Sequence, residues 1–374
     1  MKRIIIFIFC GLTISAFAQQ KEPIYSIVEE LHDKEWYENQ LKLWGDEATK
    51  GSKSPDAWYN YYAASRALLN LTTGEERTKY KELGKTITKE VLDMHPSSFE
   101  ANYVAMWSGG LGSDKYEEYL WKAHEMRPND PLLYDELLIN YAIKRKEKEL
   151  KEMSQTMLQT NYLAGGVLNW GYNVLSEVQE NGIVLTSGDN DTYALWINQS
   201  GLNHRKDVTI LNINLLFLTE YRELHFNMLG IEAANAEGFS MTDMITHVMK
   251  NKKGIPVHIT STALHSFENP AVDSHLYLTG LTYQYSAESL DNNSLIRRNF
   301  EQRFALDYLK VKFTSHRMDE IASSFNATYL AAMVKLYKMY ETSGESDKMK
   351  ELAVLMKKAS ENGDMAQEIQ KIIH

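Results

Sequence analysis

The residues with the clearest chemical potential lie in one string, Thr186-Ser-Gly-Asp-Asn-Asp-Thr-Tyr-Ala-Leu-Trp196. Asp189 and Asp191 flank Asn190, and Thr192 follows. Hard carboxylate oxygens at this spacing can hold a divalent cation or accept hydrogen bonds from the hydroxyls of a sugar. The same residues also suit a tight turn at Gly188 and Asp189, with Asp191 or Thr192 capping the following helix. Two acids disfavour a bare phosphate, and a loop with one glycine is not a phosphate-binding motif. Asp189, Asn190, Asp191 and Thr192 are therefore the candidate ligand-binding residues. His258, His265 and His275 share one region, and three imidazoles can hold zinc. Their spacing matches no zinc motif, and no His-Glu-x-x-His occurs. No Gly-x-Ser-x-Gly marks a serine nucleophile. The expectation is no catalytic set, no metal and no cofactor.

The elements that must position the string are legible around it. Residues 182–188 form a short β-branched run ending in glycine, which predicts a buried strand. A helix through Gln199 follows it. Residues 207–213 and 255–261 predict two more buried strands, and 275–285 a fourth, bent at Gly280. A helix over 241–250 separates the second from the third. This alternation predicts a small, mostly parallel α/β sheet with helices on its faces. Ligands of such sheets bind beyond the carboxyl ends of the strands, where residues 188–192 fall. From Ser294 the pattern is helical, and 326–340 with 346–360 predict a hairpin around Ser343-Gly344-Glu345.

From Pro23 to about Thr160 the periodicity is helical throughout. Ser54-Pro55 starts one helix, a second runs over 75–94, a third stops at Gly109-Gly110, a fourth spans 114–126, and a pair follows Pro131. Asp93-Met94-His95-Pro96 and Glu125-Met126-Arg127-Pro128 match in kind and lie 32 residues apart. That spacing predicts tetratricopeptide-like hairpins, although the full consensus is missing. Stacked hairpins present a concave face suited to a protein or glycan partner. Trp36, Trp44, Trp58, Tyr59, Tyr61, Tyr62, Tyr103, Trp107 and Trp121 crowd these helices. Most are expected to fill the seams between repeats, with Trp36, Trp44 and Trp107 left for a partner.

Lys2 and Arg3, an apolar run over 4–16 and Ala16-Phe17-Ala18 form a secretory signal pattern with cleavage before Gln19. The large residues before Cys10 do not suit a lipoprotein signal. Processing removes the one cysteine and takes the net charge from −10 to −12. The mature chain is then without disulfide, thiolate nucleophile or cysteine–zinc site. The acidic balance argues against nonspecific binding to nucleic acid or anionic lipid. No later run reaches the ~18 apolar residues of a spanning helix. A periplasmic or secreted location follows, with no integral membrane segment.

The string at 186–196, followed by Arg205-Lys-Asp-Val-Thr-Ile-Leu-Asn-Ile-Asn-Leu-Leu, resembles the soluble tail of a bacterial membrane-protein family. That family is related to the plexin-type transmembrane protein O-mannosyltransferases. Ile255-Pro-Val-His-Ile-Thr, Leu278-Thr-Gly-Leu-Thr-Tyr and residues 326–356 resemble its later pieces in order. The family's transfer chemistry belongs to a membrane portion for which this chain has helical repeats instead. The resemblance therefore implies an accessory module, with 189–192 at its most recognisable loop. The organisation read from all this is a signal peptide (1–18), a helical-repeat domain (19–164), an α/β domain (165–290) and a C-terminal helical region (291–374). The expected function is non-catalytic binding or scaffolding in the bacterial envelope. The alternative is a glycan- or glycoprotein-processing enzyme using the acidic loop at 188–192.

Overall fold

A computed structural model describes residues 20–233, 236–267, 269–361 and 365–373; the signal pattern and Cys10 lie outside them. By its internal contacts the chain divides into two units, one of residues up to 24 with 32–104, the other of 25–31 with 105–374.

In the first unit, short polar side chains set where helices begin. Asp33 accepts from the amide of Trp36 at 2.8 Å and opens the helix Lys34–Thr49. Ser54 accepts from the amide of Ala57 at 3.2 Å, with Pro55 in the first helical position, and opens Pro55–Leu71. These side chains satisfy amides that a helix start cannot pair internally. The helix Gly74–Met94 follows and packs on Pro55–Leu71. Trp58, Leu68, Ile87 and Val91 are buried in the seams; of the nine aromatics named above, Trp58, Tyr62 and Tyr103 are buried, and Trp36, Trp44, Tyr59, Tyr61, Trp107 and Trp121 are half-buried. Residues 20–24 lie along these helices. The amide of Ile24 donates to buried Asn60 at 2.9 Å, and Trp44 Nε1 donates to the carbonyl of Glu22 at 2.9 Å.

The second unit holds the sheet. Its strands are β1 Ile183–Thr186, β2 Thr209–Asn212, β3 Val257–Thr260, β4 Leu276–Leu278 and β5 Thr282–Tyr285, in the order β2-β1-β3-β5-β4. β1 pairs in parallel with β2 and β3; β5 runs antiparallel to β3 and β4. The expected class, helices with an α/β part, is the one observed. The strand expected over 275–285 is instead a hairpin, folded back at Thr279-Gly280-Leu281. Glu177 makes that turn. Its buried carboxyl accepts from the amide of Leu281, and a Cβ on Gly280 would lie 2.2 Å from Glu177 Oε2. The sheet is thus mixed: helices connect the parallel strands, and the tight turn between β4 and β5 sets β5 antiparallel to both β4 and β3.

The helix Gly165–Glu177 packs on the helix Asp189–Trp196, which follows β1. Trp170 on the former is fully buried, donates to Thr328 Oγ1 at 3.0 Å and meets Phe325 edge-on. The helix Met241–Lys250 carries a full capping box between Ser240 and Asp243. Carboxy-terminal helices Leu330–Ser343 and Ser346–Ser360 form a hairpin closed by Gly344 at φ 73°. Among the described residues, no helix is long and apolar enough to cross a membrane.

The close crossing of the helices Gly165–Glu177 and Asp189–Trp196 is testable. A Cβ on Gly171 would lie 2.8 Å from the backbone carbon of Ala194. Gly171→Ala gains about 1 kcal/mol of helix propensity but forces the two helices apart, a cost of about 1–3 kcal/mol. Net destabilisation in urea unfolding is expected; a higher midpoint would mean the crossing is not tight.

Candidate functional site at the carboxyl ends of the parallel strands

β1 is central among the parallel strands, with the chain passing first to β2 on one side and then to β3 on the other. This reversal is a topological switch point, where open α/β sheets place their ligands. The sequence-derived candidates Asp189, Asn190, Asp191 and Thr192 all lie there. Gly188 makes the turn out of β1 at φ 101°, a conformation that costs glycine little, and Asp189 begins the helix.

Three consecutive side chains reach three different parts of the unit. Asn190 Nδ2 donates to the carbonyl of Val28 at 2.8 Å, 162 residues away. Asp191, 2% exposed, accepts on Oδ2 from the Ser187 amide and from Thr262 Oγ1, both at 2.9 Å. It thereby ties the end of β1 to the loop after β3. Thr192, fully buried, donates to the carbonyl of Gly188 at 2.7 Å and accepts from Asn212 Nδ2 at 2.8 Å, at the end of β2. Asp189 is half-buried.

The capping expectation is corrected. Gly188 is the cap residue and offers no side chain. Asp191 lies in the third helical position and reaches back to Ser187, while Thr192 bonds the preceding turn. The acids form a wider cluster than the string shows. Buried Asp135 and Glu136 lie near Asp189, and Tyr116 O–H donates to Glu136. Burial first, then the charges of Glu136, Glu29 and Asp189, push the Asp135 carboxyl well up. Burial also raises Glu29, against the pull of Arg317 at 3.4 Å. Asp191 Oδ1 has no hydrogen-bond partner among the described residues, and burial pushes this carboxyl up to about 7. No three of the described histidines and acids are arranged as metal ligands.

The histidines sit in different environments. His258 is buried on β3 with Nδ1 at 2.8 Å from Thr282 Oγ1, and burial depresses it to about 3. His265 is exposed, and His275 lies edge-on to Tyr285. Two important residues escaped the sequence reading. Arg205 was visible only as part of a familiar string. It clamps the end of the helix Gly165–Glu177, donating through Nη1 to the carbonyls of Leu175 and Val178 at 2.8 Å, and pairs with Asp207 at 2.7 Å. Its reach to orphan helix carbonyls is a familiar task for a basic side chain. Glu177 gave no sequence signal, since its partners lie more than a hundred residues on.

Residues 167–223 match the family model of TMEM260-associated domain 2. The match takes in the helix bearing Trp170, β1, the 188–192 loop, Arg205, Asp207 and β2. No curated protein and no solved structure matches the chain.

The pH dependence of Asp191 has a definite sign. An unfolded Asp titrates near 3.9, and in the fold Asp191 is raised to about 7. Between these values the folded state binds more protons, so this group's contribution falls as pH rises through the interval and levels off above it. Raised Glu177, Asp135 and Glu29 act in the same sense, whereas the depressed histidines His204, His225 and His258 oppose it at the acid end. Comparison with Asp191→Asn isolates the one group. The variant should gain stability relative to wild type from about pH 4 to about pH 7. Asp191→Ala should lose about 1–3 kcal/mol, because two donors lose their acceptor. Melting curves across pH test both; a pH-independent difference between wild type and Asp191→Asn contradicts the assignment.

Proposed function

We propose that this chain is a soluble, exported, non-catalytic binding or scaffolding protein of the bacterial envelope. In this reading its helical hairpins are tetratricopeptide-like repeats that hold a protein or glycan partner. One observation carries the reading: Asn190, Asp191 and Thr192 direct their hydrogen bonds inward, to Val28, Thr262 and Asn212. A recognisable loop used as an internal joint supports a framework role better than a reacting centre. The matched family model, described as TMEM260-associated, supports an accessory domain. The relationship to plexin-type O-mannosyltransferases, the signal peptide and a periplasmic or secreted location belong to the same proposal.

A second reading rests on a different observation. Asp191 keeps one buried oxygen without a partner among the described residues, and burial pushes it up to about 7, near the operating range of a general acid or base. In that reading the 188–192 loop serves a glycan- or glycoprotein-processing enzyme.

One experiment separates them. Immobilised wild type and Asp191→Asn are incubated with envelope extract from the source organism, and both retained proteins and glycan products are analysed. A saturable partner retained equally by both proteins is expected. Glycan turnover that disappears in Asp191→Asn, without a retained partner, would overturn the binding reading.

A further inference from the structure

Arg205 and Arg303 come together on the second unit, away from the acidic loop. A groove of about 610 Å³ is lined by Tyr172, Ser176, Glu180, His204, Arg205 and Arg303, among others. One wall is flat: the His204 ring stacks on Tyr172 with centroids 4.1 Å apart and planes 15° from parallel. His204 Nε2 is also 3.1 Å from Ser176 Oγ, which fixes the ring edge. Arg205 is committed to the helix end and to Asp207 and contributes little free charge.

Arg303 differs. It donates through Nη1 to the carbonyl of Ser176 at 3.0 Å and is otherwise exposed. Its neighbours include Arg298 and Arg205, both of which disfavour its charge. Glu177, whose charge favours that of Arg303, is fully buried on the Leu281 amide, and burial pushes it up to about 8. Arg298 Nε is buried without an acceptor among the described residues. The lining also holds two acids, Glu180 and Asp207; Asp207 is taken by Arg205, which leaves Arg303 as the guanidinium of the groove without an ion pair among the described residues. Guanidinium forks match planar and tetrahedral oxyanions, and flat rings suit the body of a small cyclic molecule.

We infer that this groove binds an oxyanion, a carboxylate or phosphate, with Arg303 as its ligand and the Tyr172–His204 face as the seat for the group that carries it. The inference does not rest on the partner reading above, which concerns the 188–192 loop, and either can fail alone.

The test is NMR titration of the full mature chain with inorganic phosphate and, separately, with D-glucuronate. Saturable shifts at the amides of Ser176 and His204 are expected with at least one probe. Phosphate alone assigns the phosphate source, and glucuronate alone the carboxylate. Arg303→Gln should weaken binding about tenfold, with Arg303→Lys intermediate. Added salt should weaken it further. Glu180→Gln removes an acid from the rim and should tighten binding, a readout that remains if Arg303→Gln fails to fold. No saturable response to either probe overturns the inference. So does unchanged affinity in folded Arg303→Gln, or in Glu180→Gln.

Discussion

The carboxylate of Asp191 joins the ends of two parallel strands. β1 and β3 are neighbours in the sheet, yet 71 residues separate Asp191 from Thr262, whose hydroxyl it receives. The same oxygen receives the Ser187 amide, so one atom fixes both the exit from β1 and the loop after β3. Asn190 and Thr192 extend the joint to Val28 and to the end of β2. A buried ionised carboxylate is costly unless its oxygens are well bonded. Among the described residues only Oδ2 has donors, and burial pushes the group up to about 7. The loop's acidity, which invites a cation in the sequence, is absorbed by packing.

A second buried acid governs the other half of the sheet. Glu177 ends the helix Gly165–Glu177 and receives the Leu281 amide at the turn between β4 and β5. Gly280 is needed there because any side chain would collide with the Glu177 carboxyl and the Phe304 ring. Arg205 ties down the same helix end from the other side of the chain, held in a left-handed conformation at φ 48°. One helix terminus therefore organises β1, the antiparallel hairpin and the return into β2. Asp191 and Glu177 divide the work: parallel strands are joined at their carboxyl ends, and the hairpin is set by the helix beneath it.

Much of the fold is legible in local sequence. The runs 182–188, 207–213 and 255–261 each contain a strand, because β-branched residues flanked by turn formers admit little else. Ser54-Pro55 and Ser240 with Asp243 mark helix starts through chemistry confined to three residues. The hairpin at 276–285 was read as one bent strand, because a glycine within a strand-like run does not reveal whether the chain kinks or reverses. The candidate loop was found at its place in the fold, but its bonding was not. Val28, Thr262 and Asn212 are selected by topology, and no spacing rule links them to residues 190–192. Asp135 and Glu136 joined the acidic cluster for the same reason, from a helix that carries no motif.

The central claim, that the Asp191 carboxylate is an internal joint between β1 and β3, is tested most directly at the Ser187 amide. Its hydrogen exchange should be strongly slowed in the wild type and in Asp191→Asn, where a carbonyl oxygen remains to accept it, and fast in Asp191→Ala. Rapid exchange at Ser187 in the folded wild type, or protection unaltered by Asp191→Ala, would contradict it.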